Sequence, residues 1–260
     1  MNIIVCIKQV PDTTEIKIDS ETNTLIREGV ESIINPFDLY AIEEAVRLKE
    51  KYGGKITAIS MGPPQVEKAL RDSVAMGVDE IILLTDRKFA GADTWATSLT
   101  LAAAINKINT YDLIIFGQQA IDGDTAQVGP GVATHLELPQ VGFAKEIEEV
   151  KDKRIILQRL MEDGYERIDM PLPAVITVIK DINEPRLPSL RGKRKAKKVE
   201  LKTWSADILQ LDENDIGLNG SPTQVVKIFS PEIKKKGEKH EGNPEDLAQI
   251  LLNKLKELSN

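Results

Sequence analysis

Four short strand-like runs, Ile3–Ile7, Lys55–Ser60, Glu80–Leu84 and Leu113–Gly117, alternate with stretches of helical periodicity up to about residue 137. Apolar runs with so little alternation of polarity belong to parallel strands buried on both faces by helices. The expected fold is therefore an open, mostly parallel α/β sheet. Asn35 is placed to N-cap a helix whose first position is Pro36, and Gly53-Gly54 can end it in a left-handed conformation. Further helices are predicted over Gln65–Met76, stopped by Gly77, and over Asp93–Lys107. Ahead of the first helix, Ile16–Asp19 and Leu25–Arg27 read as a hairpin.

Beyond Gly142 the period changes. Phe143–Val150, Arg154–Leu160 and Arg167–Asp169 read as short antiparallel strands, and Ala174–Val178 as a return to a buried strand, which gives the sheet an antiparallel extension. After Asp181 the chain turns Pro-rich and then basic, and little periodicity returns before a capped amphipathic helix over Asn243–Leu258, expected to dock on another chain. The resulting division is an α/β domain over 1–183, a separate segment over 184–200 and a C-terminal arm over 201–260.

With 41% hydrophobic residues in 260, the chain can bury a sizeable core. No apolar run approaches the roughly 18 residues of a membrane span, and the opening residues are strand-like rather than a basic leader. The expectation is a cytoplasmic protein without membrane insertion. Its single cysteine, Cys6, excludes an internal disulfide, and the two histidines, His135 and His240, form no zinc or iron–sulfur spacing with it. Redox chemistry then falls to an organic cofactor, and no metal ligand is assigned. Neither a Ser/His/Asp ordering nor an HExxH or P-loop pattern occurs, so no catalytic residue is assigned either.

The segment from Gly117 to Gly131 follows a buried strand and precedes a helix, which is where open α/β sheets hold nucleotides. Gly123, Gly129 and Gly131 permit positive φ and close backbone approach, while Thr125, Gln127 and the amides opening the helix can donate to phosphate. Asp122 and Asp124 repel phosphate, and so belong to loop capping or ribose hydroxyls. An ordinary strand-to-helix turn is the alternative, and the segment is not a GxGxxG fingerprint. Lys8, at the end of the first strand, can meet a phosphate, and the backbone around Cys6 an adenine edge. Asn35–Asp38 and Ser60–Pro63 sit at analogous places, and these segments converge at one end of the sheet.

Arg191–Lys198 packs six cations into eight residues of a chain whose net charge is −7. A nucleic-acid patch needs a wider basic surface and more than 4% aromatics. A solvated loop and a docking element for an acidic protein remain; the neighbouring Leu187 and Leu190, apolar anchors beside a charged collar, favour docking.

Taken together, Val5–Asp12, Asn35–Asp38, Ala41–Lys49, Gly117–Gly131 and Asn183–Lys198 resemble the beta subunit of electron transfer flavoproteins, in order from residue 1 to about 200. The resemblance implies a Rossmann-like fold of the adenine nucleotide alpha hydrolase type, a heterodimer with an alpha subunit, and a C-terminal arm wrapping that partner. It also implies a nucleotide site built from Cys6, Asn35, Pro36, Phe37, Asp38, Met61, and the run Gly117, Gln118, Gln119, Ala120, Ile121, Asp122, Gly123, Asp124, Thr125, Ala126, Gln127 and Val128, to which the residue reading adds Lys8. Simple members hold AMP there. Electron-bifurcating members hold FAD, reduced by NADH, and pass electrons to ferredoxin or flavodoxin and, through the alpha-subunit flavin, to a flavin-dependent dehydrogenase. The Asp122–Pro130 sequence resembles the bifurcating version, with Gly123 and Ala126 leaving room for a pyrophosphate, so FAD is favoured and AMP is the alternative. Leu187, Leu190 and Arg191 match the family's recognition loop, with Leu190 as the anchor; Lys193-Arg194 departs from the apolar residues common there.

Overall fold

The computed structural model describes residues 1–12, 32–226 and 237–258. The hairpin predicted over Ile16–Asp19 and Leu25–Arg27 lies outside the described residues. Two compact units are present, Met1–Val226 and Lys227–Asn260.

In the first unit the elements follow in order as β1 (Asn2–Cys6), β2 (Gln9–Pro11), β3 (Ser32–Ile34), α1 (Pro36–Tyr52), β4 (Lys55–Met61), α2 (Glu67–Met76), β5 (Glu80–Leu84), α3 (Thr94–Ile108) and β6 (Leu113–Gly117). They continue as α4 (Val128–His135), β7 (Gln140–Lys151), β8 (Arg154–Met161), β9 (Gly164–Pro171), β10 (Ala174–Val178), α5 (Leu190–Ala196), β11 (Leu201–Trp204) and α6 (Ala206–Leu209). The second unit holds α7 (Pro244–Leu258), with Asn243 Oδ1 accepting the Asp246 amide at 2.9 Å at its start.

Nine described strands form one sheet in the order β11-β5-β4-β1-β6-β10-β7-β8-β9, and β2 pairs with β3 separately. All contacts from β11 through β7 are parallel, and β7–β8–β9 are antiparallel. This is the expected Rossmann-like α/β architecture with its antiparallel extension. The run of β1 shows why its residues are apolar throughout. Ile3, Val5 and Ile7 pack in one core with Ala41, Ile42 and Leu70 of α1 and α2; Ile4 and Cys6 pack in a second with Leu101, Ile105 and Val132 of α3 and α4.

Two elements were not expected. β11 adds to the far edge beside β5, so the first part of the range assigned to a C-terminal arm packs in the sheet unit. Its short Leu-Lys-Thr-Trp run is half exposed, too weak a pattern to read as a strand. Within the basic run, residues 190–196 form a helix whose first turn is capped by Ser189, its Oγ accepting the Gly192 amide at 2.9 Å. The predicted helix from Gln65 begins instead as a 3-10 turn over Pro64–Val66, and Gly77, at φ 138°, ends α2 as expected.

Candidate functional site

The carboxyl ends of β1, β4 and β6 open onto one cavity of about 350 Å³. β1 lies between β4 and β6: the chain steps outward from β1 through β4 to β5 and then crosses back to β6 on the other side, and the strand ends splay there into a crevice. Cys6, Ile7 and Lys8 line it from β1, Met61 from β4, and Phe116–Ala120 from the end of β6. Gly123 and Thr125–Gly129 complete the loop side, with Asn35 and Asp38 beneath.

Asn35 is buried, but it does not cap α1 as expected; no side chain does. Its Nδ2 donates to the Gln119 carbonyl at 2.8 Å and its Oδ1 accepts the Ile121 amide at 3.1 Å, tying the start of α1 to the loop after β6. Asp38, in the first turn of α1, accepts the Lys8 amide at 2.7 Å and so fixes the exit of β1. Burial pushes its carboxyl up to about 7, although the amides of Lys8 and Gly117 and the Asn35 side chain act to lower it. The unfolded value is about 4. The stability contributed by this proton is therefore complete below about pH 4 and is lost as pH rises through about 7. Asp38→Asn is expected to flatten that fall in melting temperature; a variant curve parallel to the parent's would assign the slope to other groups. Burial, with the Asp38 charge adding to it, also pushes the Cys6 thiol up, which keeps it protonated and unreactive.

Both loop acids are paired with side chains that line the cavity. Asp122 Oδ1 meets Lys8 Nζ at 2.7 Å, and the Asp124 carboxylate accepts the Gln119 side-chain amide. Neither acid lines the cavity, nor do Pro36, Phe37 and Ile121, all of which were expected in the site. Lys8 does line it, but with a carboxylate for a partner. The positive φ values fall on Asp124 and Ala126, both at 54°, rather than on Gly123, Gly129 or Gly131. Gly129 and Gly131 serve packing instead, since a Cβ on either would lie 2.7 Å from Thr177 or Ser98. Gly123 faces open space, with nothing within 4 Å of the position a Cβ would take.

What remains toward the cavity is small or a hydrogen-bond donor. The Thr125 hydroxyl has no partner among the described residues, and α4 starts without a side-chain cap, leaving the Val128 and Gly129 amides. Such a terminus favours an anion. Thr125→Asp places a like charge there and is expected to weaken adenine-nucleotide retention at least about tenfold; unchanged retention, measured on the purified complex, would remove Thr125 from the site.

The opposite wall, made by Ala92, Asp93, Thr94, Thr97 and Leu101, was not expected. Asp93 was readable as the start of a helix at this end of the sheet, and that was the available signal. Its Oδ1 caps α3 through the amides of Trp95 and Ala96, its Oδ2 accepts from Thr223, and Thr94 Oγ1 donates to Gln127 Oε1 at 3.1 Å.

A family model described as the electron transfer flavoprotein domain matches residues 22–209. The chain belongs to the electron transfer flavoprotein family. It is 54% identical over 256 residues to an electron transfer flavoprotein subunit beta of Thermoanaerobacterium thermosaccharolyticum, with 98% of each chain covered. Over 259 residues it is 49% identical to the caffeyl-CoA reductase-Etf complex subunit CarD of Acetobacterium woodii, covering 99% of this chain and 98% of that one. Protein FixA of Azotobacter vinelandii is 44% identical over 265 residues, covering 98% and 94%. The beta-subunit resemblance read from the sequence motifs therefore stands. No helix among the described residues is long and apolar enough to cross a membrane.

Away from the cavity, the segment over 184–200, expected from the sequence to be a recognition loop, is held against α1 and α2. Asn183 Nδ2 donates to the Tyr40 carbonyl and to Glu44, both at 3.0 Å, and Arg186 forks onto Glu43 and Glu50. Beyond this clamp Leu187 and Leu190 stand 89% and 81% exposed, an arrangement that leaves both free to enter a partner. Arg191 is exposed beside them. One member of the basic run turns inward: Lys195 meets Asp79 Oδ1 at 2.9 Å and the Val78 carbonyl at 3.0 Å.

Proposed function

We propose that this chain is the beta subunit of an electron-bifurcating electron transfer flavoprotein, and that its cavity holds the adenosine and phosphate portion of an FAD. The observation that carries the reading is the composition of the loop wall. Asp122 and Asp124 are withdrawn onto Lys8 and Gln119, leaving Gly123, Thr125, Ala126 and the first amides of α4 for phosphate. The open space beside Gly123 and the short side chain of Ala126 leave room for a second phosphate group. Cys6 and Ile7 line the cavity on the side assigned to the adenine, and Asn35 and Asp38 hold the two halves of the site in register. Held by Thr125, Ala126 and the first amides of α4, a bound flavin would supply hydride chemistry with NADH and electrons for ferredoxin or flavodoxin and, by way of the alpha-subunit flavin, for a flavin-dependent dehydrogenase, while the protein would position and tune it.

The cavity's volume, about 350 Å³, lies at the small end of ligand pockets and supports a second reading, AMP as a structural ligand. Denaturing the purified heterodimer and counting released nucleotides separates the two. Two FAD and no AMP per heterodimer is expected, and one of each would replace the bifurcating reading with the AMP-bearing one.

The exposed leucines support docking of the dehydrogenase at 184–200. Leu190→Ala is expected to slow electron delivery to the dehydrogenase roughly tenfold, in line with loss of a buried anchor, with nucleotide content unchanged. Equal delivery by the variant and the parent would move docking elsewhere.

A further inference from the structure

A groove of about 620 Å³ lies beside the recognition segment, between it and α2. Its floor is apolar: Pro64 and Ala75 from the α2 side, Pro188 and Ala196 from the segment. The two sides approach closely because Gly192 has no side chain. A Cβ there would lie 2.8 Å from the Ala75 carbonyl carbon and closer still to its oxygen, so α5 lies against the end of α2 backbone to backbone.

The rim is cationic in a way the fold does not consume. On α2, Arg71 is occupied by Glu67 at 2.7 Å and by the carbonyls of Ala196 and Val199, and Asp72 stands 3.9 Å from Lys68. On the segment side, Lys193 and Lys197 are exposed and have no carboxylate partner among the described residues; the same holds for Arg191, Arg194 and Lys198 just outside. A surplus of this kind, in a chain of net charge −7, is costly through mutual repulsion and gains from an anionic neighbour. It also continues directly from Leu187 and Leu190.

We propose that this groove receives an acidic, amphipathic segment of the dehydrogenase. The contact is then reciprocal: this chain inserts Leu190 into the partner, and the partner lays an apolar side chain on Ala75 and Ala196 with its carboxylates against Lys193 and Lys197. The inference rests on the reading that the dehydrogenase docks at 184–200. Charge complementarity selects the occupant, because an apolar floor with this rim fits neither a basic segment nor a polar loop.

The test uses the intact heterodimer and the flavin dehydrogenase that it reduces. A photo-cross-linking residue is placed at Asp72, on the α2 wall, and in a second preparation at Leu190. Adducts with the dehydrogenase from both positions are expected. The Asp72 adduct should be lost at high salt, where charges are screened beyond about 3 Å at 1 M, and in the double variant Lys193→Glu with Lys197→Glu. That variant should also slow reduction of the dehydrogenase at least about tenfold at low salt with nucleotide content unchanged. A Leu190 adduct without an Asp72 adduct overturns the groove proposal and leaves the docking reading standing. No dehydrogenase adduct from either position overturns both. An Asp72 adduct with the alpha subunit also overturns the groove proposal, because it names a different occupant.

Discussion

Gly117→Ala is expected to lower the melting temperature by about 6–12 °C and to abolish nucleotide retention. The added Cβ would lie 2.6 Å from the Phe37 carbonyl carbon and 2.8 Å from the Asp38 amide nitrogen, with the Asp38 carboxylate nearer still. These are backbone atoms at the start of α1, and they cannot rotate aside. Overpacking of this kind costs about 3 kcal/mol, and each kcal/mol shifts the melting temperature by roughly 2–4 °C in a domain of this size. Retention fails with it, because relief requires α1 to move off β6, taking Asn35 and Asp38 from the loop and from Lys8. Calorimetry and nucleotide analysis of the same preparation check both parts. A melting point within about 2 °C of the parent would show that the junction yields more easily than close packing allows.

Arg186→Ala is expected to cost about 2–3 kcal/mol and to release the segment over 184–190 from α1. Glu43 is only 3% exposed, and Arg186 reaches it through Nε at 2.8 Å and a second nitrogen at 3.1 Å while also meeting Glu50 at 2.6 Å. Removing the guanidinium leaves a buried carboxylate with Arg47, at 2.9 Å, and the backbone amide of residue 186, at 3.2 Å. The full penalty of a broken buried pair is discounted here because Arg186 is itself 36% exposed. The pH dependence has a definite sign. The Arg186 and Arg47 guanidiniums hold the Glu43 carboxyl below its ordinary value against the opposing effect of burial. Its stabilisation is thus present above the unfolded carboxylate value and is lost as pH falls through the lower, folded value. In Arg186→Ala the loss begins at higher pH, and the double variant with Glu43→Gln should recover much of the stability at neutral pH. Protease cleavage within 184–190 of the single variant reports the freed segment; a parent-like cleavage rate together with an unchanged acid limb would assign the clamp no role.

The parallel strands were legible because burial on both faces leaves no polar residue to confuse the period, as Ile3–Ile7 and Leu113–Gly117 illustrate. Cavity-lining residues at the ends of β1, β4 and β6 were legible for a related reason: topology gathers them where the strand order of such a sheet reverses. Side-chain allegiance was not. Asn35 has the composition of a cap but spends both polar atoms on a loop 84 and 86 residues away. The loop's left-handed residues are Asp124 and Ala126 because a carboxylate bonded to Gln119 and a small side chain tolerate that strain, which composition alone assigns to glycine. Lys195 looked like its neighbours in the basic run, and only the approach of Asp79 from another element sets it apart. β11 escaped notice because an edge strand packed on one side carries a weaker apolar signal than a central one.

β10 and β11 also have a mechanical meaning. The segment between them leaves the sheet at an interior strand, β10, beside β6, and rejoins it at the β11 edge, beyond β1, β4 and β5. It is a span anchored at both ends in hydrogen-bonded ladders and braced midway by Arg186. A free tail gripped at Leu190 would be peeled from its tip, one contact at a time. Tension on this span is instead divided between two anchorages, so a pull at Leu190 loads both ladders together rather than unravelling the fold from one end.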